Sequence, residues 1–148
     1  MRMDTTNTVT AEGMEKKRIL FVCTHNASRS QMAEGLLRAL KGDRYEVFSA
    51  GTEPTVVHPG AAAVMAEIGI DLSGHRSKGL GEFQGMGFDE VITVCDHARE
   101  SCPIFLGDGL KTHQGFADPS TTTGTEAEVL EVFRRVREEI RAWIKETY

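Results

Sequence analysis

Long apolar runs are absent from this 148-residue chain. None approaches the roughly 20 residues a helix needs to cross a bilayer, so no membrane span is expected. The first 17 residues, MRMDTTNTVTAEGMEKK, are polar and lack the apolar core of a secretory signal. They are expected to be a disordered lead-in, with Met14 as an alternative beginning, and residues 18–148 to form one domain in the cytoplasm. Positive charge is also short: the formal net charge is −5, which argues against a general nucleic-acid or membrane-surface binder. The five histidines, at 25, 58, 75, 97 and 113, show no close ligand spacing, so no metal site is expected. Cysteine is scarce. Cys23, Cys95 and Cys102 are too few and odd in number for a disulfide framework, and a reducing compartment disfavours one. Taken alone, the three could be buried, inert thiols. Repeats, low-complexity tracts and interior linkers are missing too, which leaves a single unit with a normal globular composition, 40% hydrophobic and 26% charged.

Strands are expected at Arg18–Cys23, Tyr45–Ser49 and Glu90–Cys95, with a weak one near Lys111–Gly115. The first and third are dense in β-branched and large apolar residues, as strands covered on both faces are. Between them, Ser30–Leu40 carries an apolar stripe at positions 32, 33, 36, 37 and 40, and Pro59–Ile68 opens on a proline and closes at Gly69. The last helix has a stripe of Val129, Leu130, Phe133, Val136, Ile140 and Ile144. Thr125 is its N-cap, and Glu128 the capping-box partner. Its i,i+4 charges, Glu131/Arg135 and Arg134/Glu138, read as a solvated face. Alternating strands and helices imply an α/β fold: three layers, αβα, around a four-stranded parallel sheet. In such sheets ligands bind beyond the carboxyl ends of the strands, where Cys23 and Cys95 both fall.

The stretch CTHNASR, Cys23 to Arg29, lies between the first strand and the first helix. A thiol attacks as its thiolate. A helix N-terminus favours that anion and also binds oxyanions. A loop of this length curls its amides around one tetrahedral anion with the sulfur beneath, so Thr24, His25, Asn26, Ala27, Ser28 and Arg29 form the expected cradle. Arg29 closes the ring with a bidentate guanidinium, and Ser30 donates to the thiolate. The loop has no glycine; His25 and Asn26 occupy its tight part, and both types tolerate a left-handed backbone. Asp118, in GFADPST after the weak last strand, is the candidate acid for a leaving oxygen.

Cys95 and Cys102 are seven residues apart in VCDHARESCPIF. In a helix two turns separate them by about 10.5 Å, whereas a disulfide needs Cα atoms within about 7 Å. They therefore cannot bond while the segment is helical. Pro103 makes that helix marginal, and a segment able to unwind suits a redox relay.

CTHNASRSQMAEG, CDHARESC and GFADP together resemble the thioredoxin-coupled arsenate reductases, which share the low-molecular-weight protein tyrosine phosphatase fold. The resemblance runs from about Arg18 to the C-terminus. It implies that Cys23 attacks arsenate with help from Arg29 and Asp118. Cys95 then attacks Cys23 and releases arsenite, and Cys102 carries the disulfide to the surface for thioredoxin. It implies no resident cofactor, thioredoxin as external reductant, a monomer, and support from Thr24, Ser30 and His75. Two alternatives stand beside it: a phosphatase using only Cys23, Arg29 and Asp118, and a non-catalytic oxyanion sensor.

Several positions depart from the pattern. His25 stands where many relatives have Gly. Gln31 and Ser120 stand where phosphatases of this fold usually have Pro and an aromatic residue, and both lean away from phosphotyrosine. Some relatives hold a potassium ion with an asparagine, a glutamate, a serine and an aspartate. Asn26, Glu34 and Ser49 match the first three, but Lys78 stands at the fourth. Its ammonium either substitutes for the ion beside Glu34 or points into solvent.

Overall fold

The structure, a computed structural model, describes residues 16–95 and 109–148. The expected lead-in up to residue 15 and residues 96–102 of the expected Cys95–Cys102 helix, Cys102 included, lie outside the described residues.

Four parallel strands form one sheet: β1 (Lys17–Cys23), β2 (Tyr45–Gly51), β3 (Glu90–Thr93) and β4 (Leu110–His113), in the order β2-β1-β3-β4. The register sets Cys23 opposite Gly51 and Val22 opposite Thr93, so the carboxyl ends of three strands line up at one end of the sheet. β1 is central and buried from Ile19 to Cys23, which explains its unbroken apolar run. β1 starts at Lys17, one residue inside the expected lead-in. β3 stops at Thr93, two residues short of Cys95, although Val94 N still donates to Val22 O at 2.8 Å. β4 is the outer strand. Its Leu110 and Lys111 are exposed, and such an edge carries little of the apolar signal that marks a central strand.

Among the described residues the α-helices are α1 (Arg29–Lys41), α2 (Pro59–Ala66) and α3 (Glu126–Thr147). α1 and α3 cover the face bearing Phe21 and Ser49, and α2 packs on both helices: Phe21 meets Trp143 of α3 edge-on at 6.1 Å, and Ser49 bonds Glu34 of α1. The opposite face is covered by the 3-10 turn Leu80–Phe83 and by Phe88. There Phe48, Phe83 and Phe88 meet edge-to-face at 5.5–5.8 Å. α2 ends two residues before Ile68, and the chain turns through Gly69, whose φ of 82° suits glycine. α3 has both bonds of the capping box, with Thr125 Oγ1 accepting from Glu128 N and Glu128 accepting from Thr125 N. Its stripe buries Phe133, Val136, Ile140 and Ile144, each contributing about 1.5–3 kcal/mol. Arg134 turns to Glu67, the C-cap of α2, and to Glu131 instead of Glu138, because α2 packs alongside and its cap supplies a bidentate carboxylate. Gly60 is where that packing is tightest: a Cβ there would lie 2.9 Å from the Phe133 ring. Among the described residues no helix is long and apolar enough to cross a membrane.

Candidate active site

The loop Cys23–Arg29 leaves β1 and enters α1 with its carbonyls turned outward. Cys23 O accepts from Thr52 N (3.1 Å), Thr24 O from Glu53 N (2.7 Å), His25 O from Thr55 N (3.2 Å) and from Ser77 Oγ (2.6 Å), and Ala27 O from His58 N (2.9 Å). Asn26 O accepts from Gln31 Nε2 at 3.2 Å. A loop whose carbonyls are engaged outside keeps its N–H dipoles for an anion on the inside. The tight point is Asn26, at φ 51°, while His25 is exposed and not left-handed. The closeness of loop and β2 depends on Gly51: a Cβ there would lie 2.6 Å from Thr24 O and 2.8 Å from Asn26 N.

Cys23 is 2% exposed, at the loop's base. Its Sγ is 2.8 Å from Ser30 Oγ. The surrounding bonds favour Ser30 as the donor in that contact. Asn26 Nδ2 donates one hydrogen to Ser30 Oγ (2.8 Å) and the other to Ser49 Oγ (2.9 Å), and Ser49 gives its hydroxyl hydrogen to the Glu34 carboxylate. With one lone pair of Ser30 taken by Asn26, its hydroxyl hydrogen remains to point at the sulfur.

Arg29 begins α1 and reaches across to the loop after β4. Its Nη1 donates to Phe116 O at 3.2 Å, and its Nη2 is 3.3 Å from Asp118 Oδ2. Asp118 caps the 3-10 turn Pro119–Thr121, accepting from Ser120 N (2.9 Å) and Ser120 Oγ (2.7 Å). Burial alone would push its carboxyl up, but the Ser120 bonds and the Arg29 charge outweigh this and hold it below the usual range. Cys23, His25, Ser28, Arg29 and Asp118 line one small cavity. A larger cleft of about 630 Å³ opens beside it, lined by Thr24, Arg29, Cys95, Phe116, Ala117 and Asp118. Cys95, buried and free, stands with its Sγ 3.3 Å from Thr24 Oγ1, so the two cysteines of the described residues line adjoining cavities that share Arg29 and Asp118.

The remaining expected residues form a charged cluster behind the loop. Glu34, 6% exposed, accepts from Arg38 Nη2 at 2.5 Å. Lys78 does not point into solvent: its Nζ donates to Arg76 O at 3.0 Å and lies 3.9 Å from Glu34 Oε1. Burial pulls its pKa down against the opposing charge of Glu34. These residues do not fit a bound potassium ion, since an ammonium stands where a cation needs a negative ligand. His75 Nδ1 is 2.8 Å from Gln31 Oε1, and burial holds this half-buried imidazole below its ordinary pKa. Among the described residues no cluster of His, Cys, Asp or Glu is placed to hold a metal ion.

Three contributors escaped the sequence analysis: Gly51, Ser77 and the Phe116 carbonyl, all of which touch the loop or its arginine. Each acts through backbone or a common small side chain, so no residue-type signal marks it. Gln31 entered only as a departure from phosphatases, yet its amide is fully buried against Asn26.

Residues 18–147 match the family model of the low molecular weight phosphotyrosine protein phosphatases. The chain is 45% identical over 132 residues to an arsenate reductase of Halalkalibacterium halodurans, covering 89% of this chain and 95% of that one. It is 42% identical over 132 residues to arsenate reductase 1 of Staphylococcus epidermidis, covering 89% and 96%. A solved arsenate reductase in its phosphate-binding state superposes with a TM-score of 0.76 at 35% identity, covering 88% of this chain and 95% of that chain. A nucleophile loop at the end of a central parallel strand, closed by Arg29 and faced by Asp118, thus agrees with these matches: the chain belongs to the low molecular weight phosphotyrosine protein phosphatase family.

Proposed function

We propose that this chain is an arsenate reductase that uses Cys23 as nucleophile, Cys95 and Cys102 as a disulfide relay, and a dithiol protein of the thioredoxin type as its reductant. One observation carries the reading beyond phosphatase chemistry. A second thiol, Cys95, is held by Thr24 on the cleft that contains Arg29 and Asp118. A phosphatase has no use for it. The similarity to arsenate reductases at 42–45% identity supports the same choice.

Arsenate enters the loop, its charge met by the amides and Arg29. The Cys23 thiolate attacks arsenic(V), and hydroxide departs as water with a proton from Asp118. The Cys95 thiolate then attacks the Cys23 sulfur. The S–As bond breaks with its electron pair left on arsenic, giving arsenite and a Cys23–Cys95 disulfide. Cys102 attacks Cys95 and frees the Cys23 thiolate, and the external dithiol reduces Cys95–Cys102 while becoming oxidised itself. Asp118 needs a proton for its part, whereas the Ser120 hydrogen bonds and, after them, the ion pair with Arg29 favour its carboxylate. An oxyanion in the loop draws Arg29 to itself and sets negative charge beside Asp118, and both changes favour the protonated acid.

The test is NADPH oxidation in the presence of arsenate, thioredoxin and thioredoxin reductase, run beside hydrolysis of an aryl phosphate. Cys23→Ser is expected to abolish both reactions. Cys95→Ser and Cys102→Ser are expected to stop multiple-turnover reduction and spare aryl phosphate hydrolysis. Hydrolysis lost equally in all three variants would refute this division of labour.

A further inference from the structure

The Gln31 side chain is fully buried in the first turn of α1, and its amide has four polar partners. Nε2 has three acceptors in reach: Arg76 O at 2.9 Å, Asn26 Oδ1 at 3.0 Å and Asn26 O at 3.2 Å. Oε1 faces His75 Nδ1 at 2.8 Å. The reverse orientation would set Oε1 against three oxygens, so the network admits only one. It follows that His75 carries its hydrogen on Nδ1 and donates to Gln31. The free His75 Nε2 then accepts from Arg38 Nη1, 3.5 Å away.

The beneficiary is Asn26. At φ 51° it is the one non-glycine in the described chain with a left-handed backbone, a conformation that asparagine tolerates and that its side-chain bonds hold in place. Its Oδ1 accepts from Gln31 Nε2 and from Lys78 N (2.9 Å), which turns Nδ2 toward Ser30 and Ser49. A flipped Asn26 amide would set its carbonyl against Ser30 and remove the donor that orients the Ser30 hydrogen at Cys23. One path of hydrogen bonds therefore runs from His75 through Gln31, Asn26 and Ser30 to the sulfur.

We propose that Gln31 is a positioning residue for the nucleophile: it holds Asn26 in the orientation that aims Ser30 at Cys23, and His75 fixes Gln31 by donating to its carbonyl oxygen. The proposal rests on Cys23 being the nucleophile and not on which oxyanion it attacks.

The experiment is alkylation of Cys23 by iodoacetamide at pH 7, located by mass spectrometry, with and without inorganic phosphate, beside the kcat and KM of aryl phosphate hydrolysis. Gln31→Leu removes every polar partner at similar volume. It is expected to slow Cys23 alkylation and lower kcat, each about tenfold, with a smaller change in KM. A merely structural role predicts the opposite sign for alkylation, because a loosened fold exposes the buried sulfur and speeds it. Should Gln31→Leu fail to fold, the half-buried His75 decides. His75→Leu is expected to slow alkylation about threefold. His75→Asn, whose side-chain amide can donate as Nδ1 does, is expected to recover at least half of the wild-type rate. Alkylation in Gln31→Leu or His75→Leu at or above the wild-type rate would overturn the proposal, as would equal rates in the two His75 variants. A wild-type protein that is alkylated at Cys23, protected by phosphate and inactive on arsenate would overturn the arsenate reading and leave this one standing.

Discussion

Replacing Gly51 by alanine sets a methyl group against the backbone of the nucleophile loop. Gly51 ends β2 and pairs with Cys23 across the sheet. An ideal Cβ there lies 2.6 Å from Thr24 O, 2.8 Å from Asn26 N and 2.9 Å from His25 C. All three atoms are backbone, so no side chain can swing aside, and ordinary contact requires the loop to retreat by roughly 0.5–1 Å. Overpacking of this kind costs about 1–3 kcal/mol, or a fall in Tm of about 4–10 °C for a chain of this size. Catalysis should suffer more than stability. The loop carries the amides around the oxyanion, and a displacement of about 1 Å at reacting groups costs on the order of 10²-fold in rate. The assays are thermal melting, arsenate-dependent NADPH oxidation and aryl phosphate hydrolysis. Gly81→Ala is the control, because nothing lies within 4 Å of its Cβ; it should stay within about 0.5 kcal/mol of wild type. A Gly51→Ala protein with unchanged Tm and kcat within threefold of wild type would refute the steric reasoning.

Asp118→Asn should slow turnover by roughly 10²–10⁴-fold with poor leaving groups and less with good ones; an unchanged rate with a poor leaving group would assign the acid elsewhere. Because the folded pKa of Asp118 lies below its ordinary 3.8, its contribution to stability is present above that pH and lost as pH falls through the folded value. Asp118→Asn should accordingly flatten the acid limb of a stability–pH curve, and an unaltered limb would show that the carboxylate is not stabilised. Lys78 standing against Glu34 predicts equal activity and Tm in potassium and in a large inert cation at matched ionic strength, with Lys78→Asp creating a potassium response; marked potassium stimulation of the wild type would sink the idea. Thr125→Ala removes the hydroxyl half of the capping box and should cost about 0.5–2 kcal/mol in a denaturant titration while leaving aryl phosphate hydrolysis unchanged.

Features settled within a few residues were legible in the sequence. The β1–loop–α1 passage follows from an apolar run that ends at Cys23 and a helical stripe that begins just after it. The spacing from Cys23 to Arg29 already implies a cradle, and the Thr125/Glu128 capping box forms between neighbours three apart. Covalent geometry limits such short stretches to few conformations, so residue type and spacing suffice. Other expectations needed the packed molecule. Asn26 meets Ser49 and Lys78 across 23 and 52 residues, and Arg29 meets the Phe116 carbonyl across 87. Whether Lys78 turns inward was left open by its type, because a lysine faces solvent or a buried carboxylate according to what packs around it. Gly51 and Gln31 gave no warning of their importance, since a glycine matters through the backbone pressed against it and an amide through partners that the chain brings from elsewhere. The sequence by itself determined which groups could do the chemistry and that they lie at one end of a parallel sheet. Only the tertiary structure decided how the nucleophile is aimed, because its hydrogen-bond path joins segments that meet only after the sheet and helices have packed.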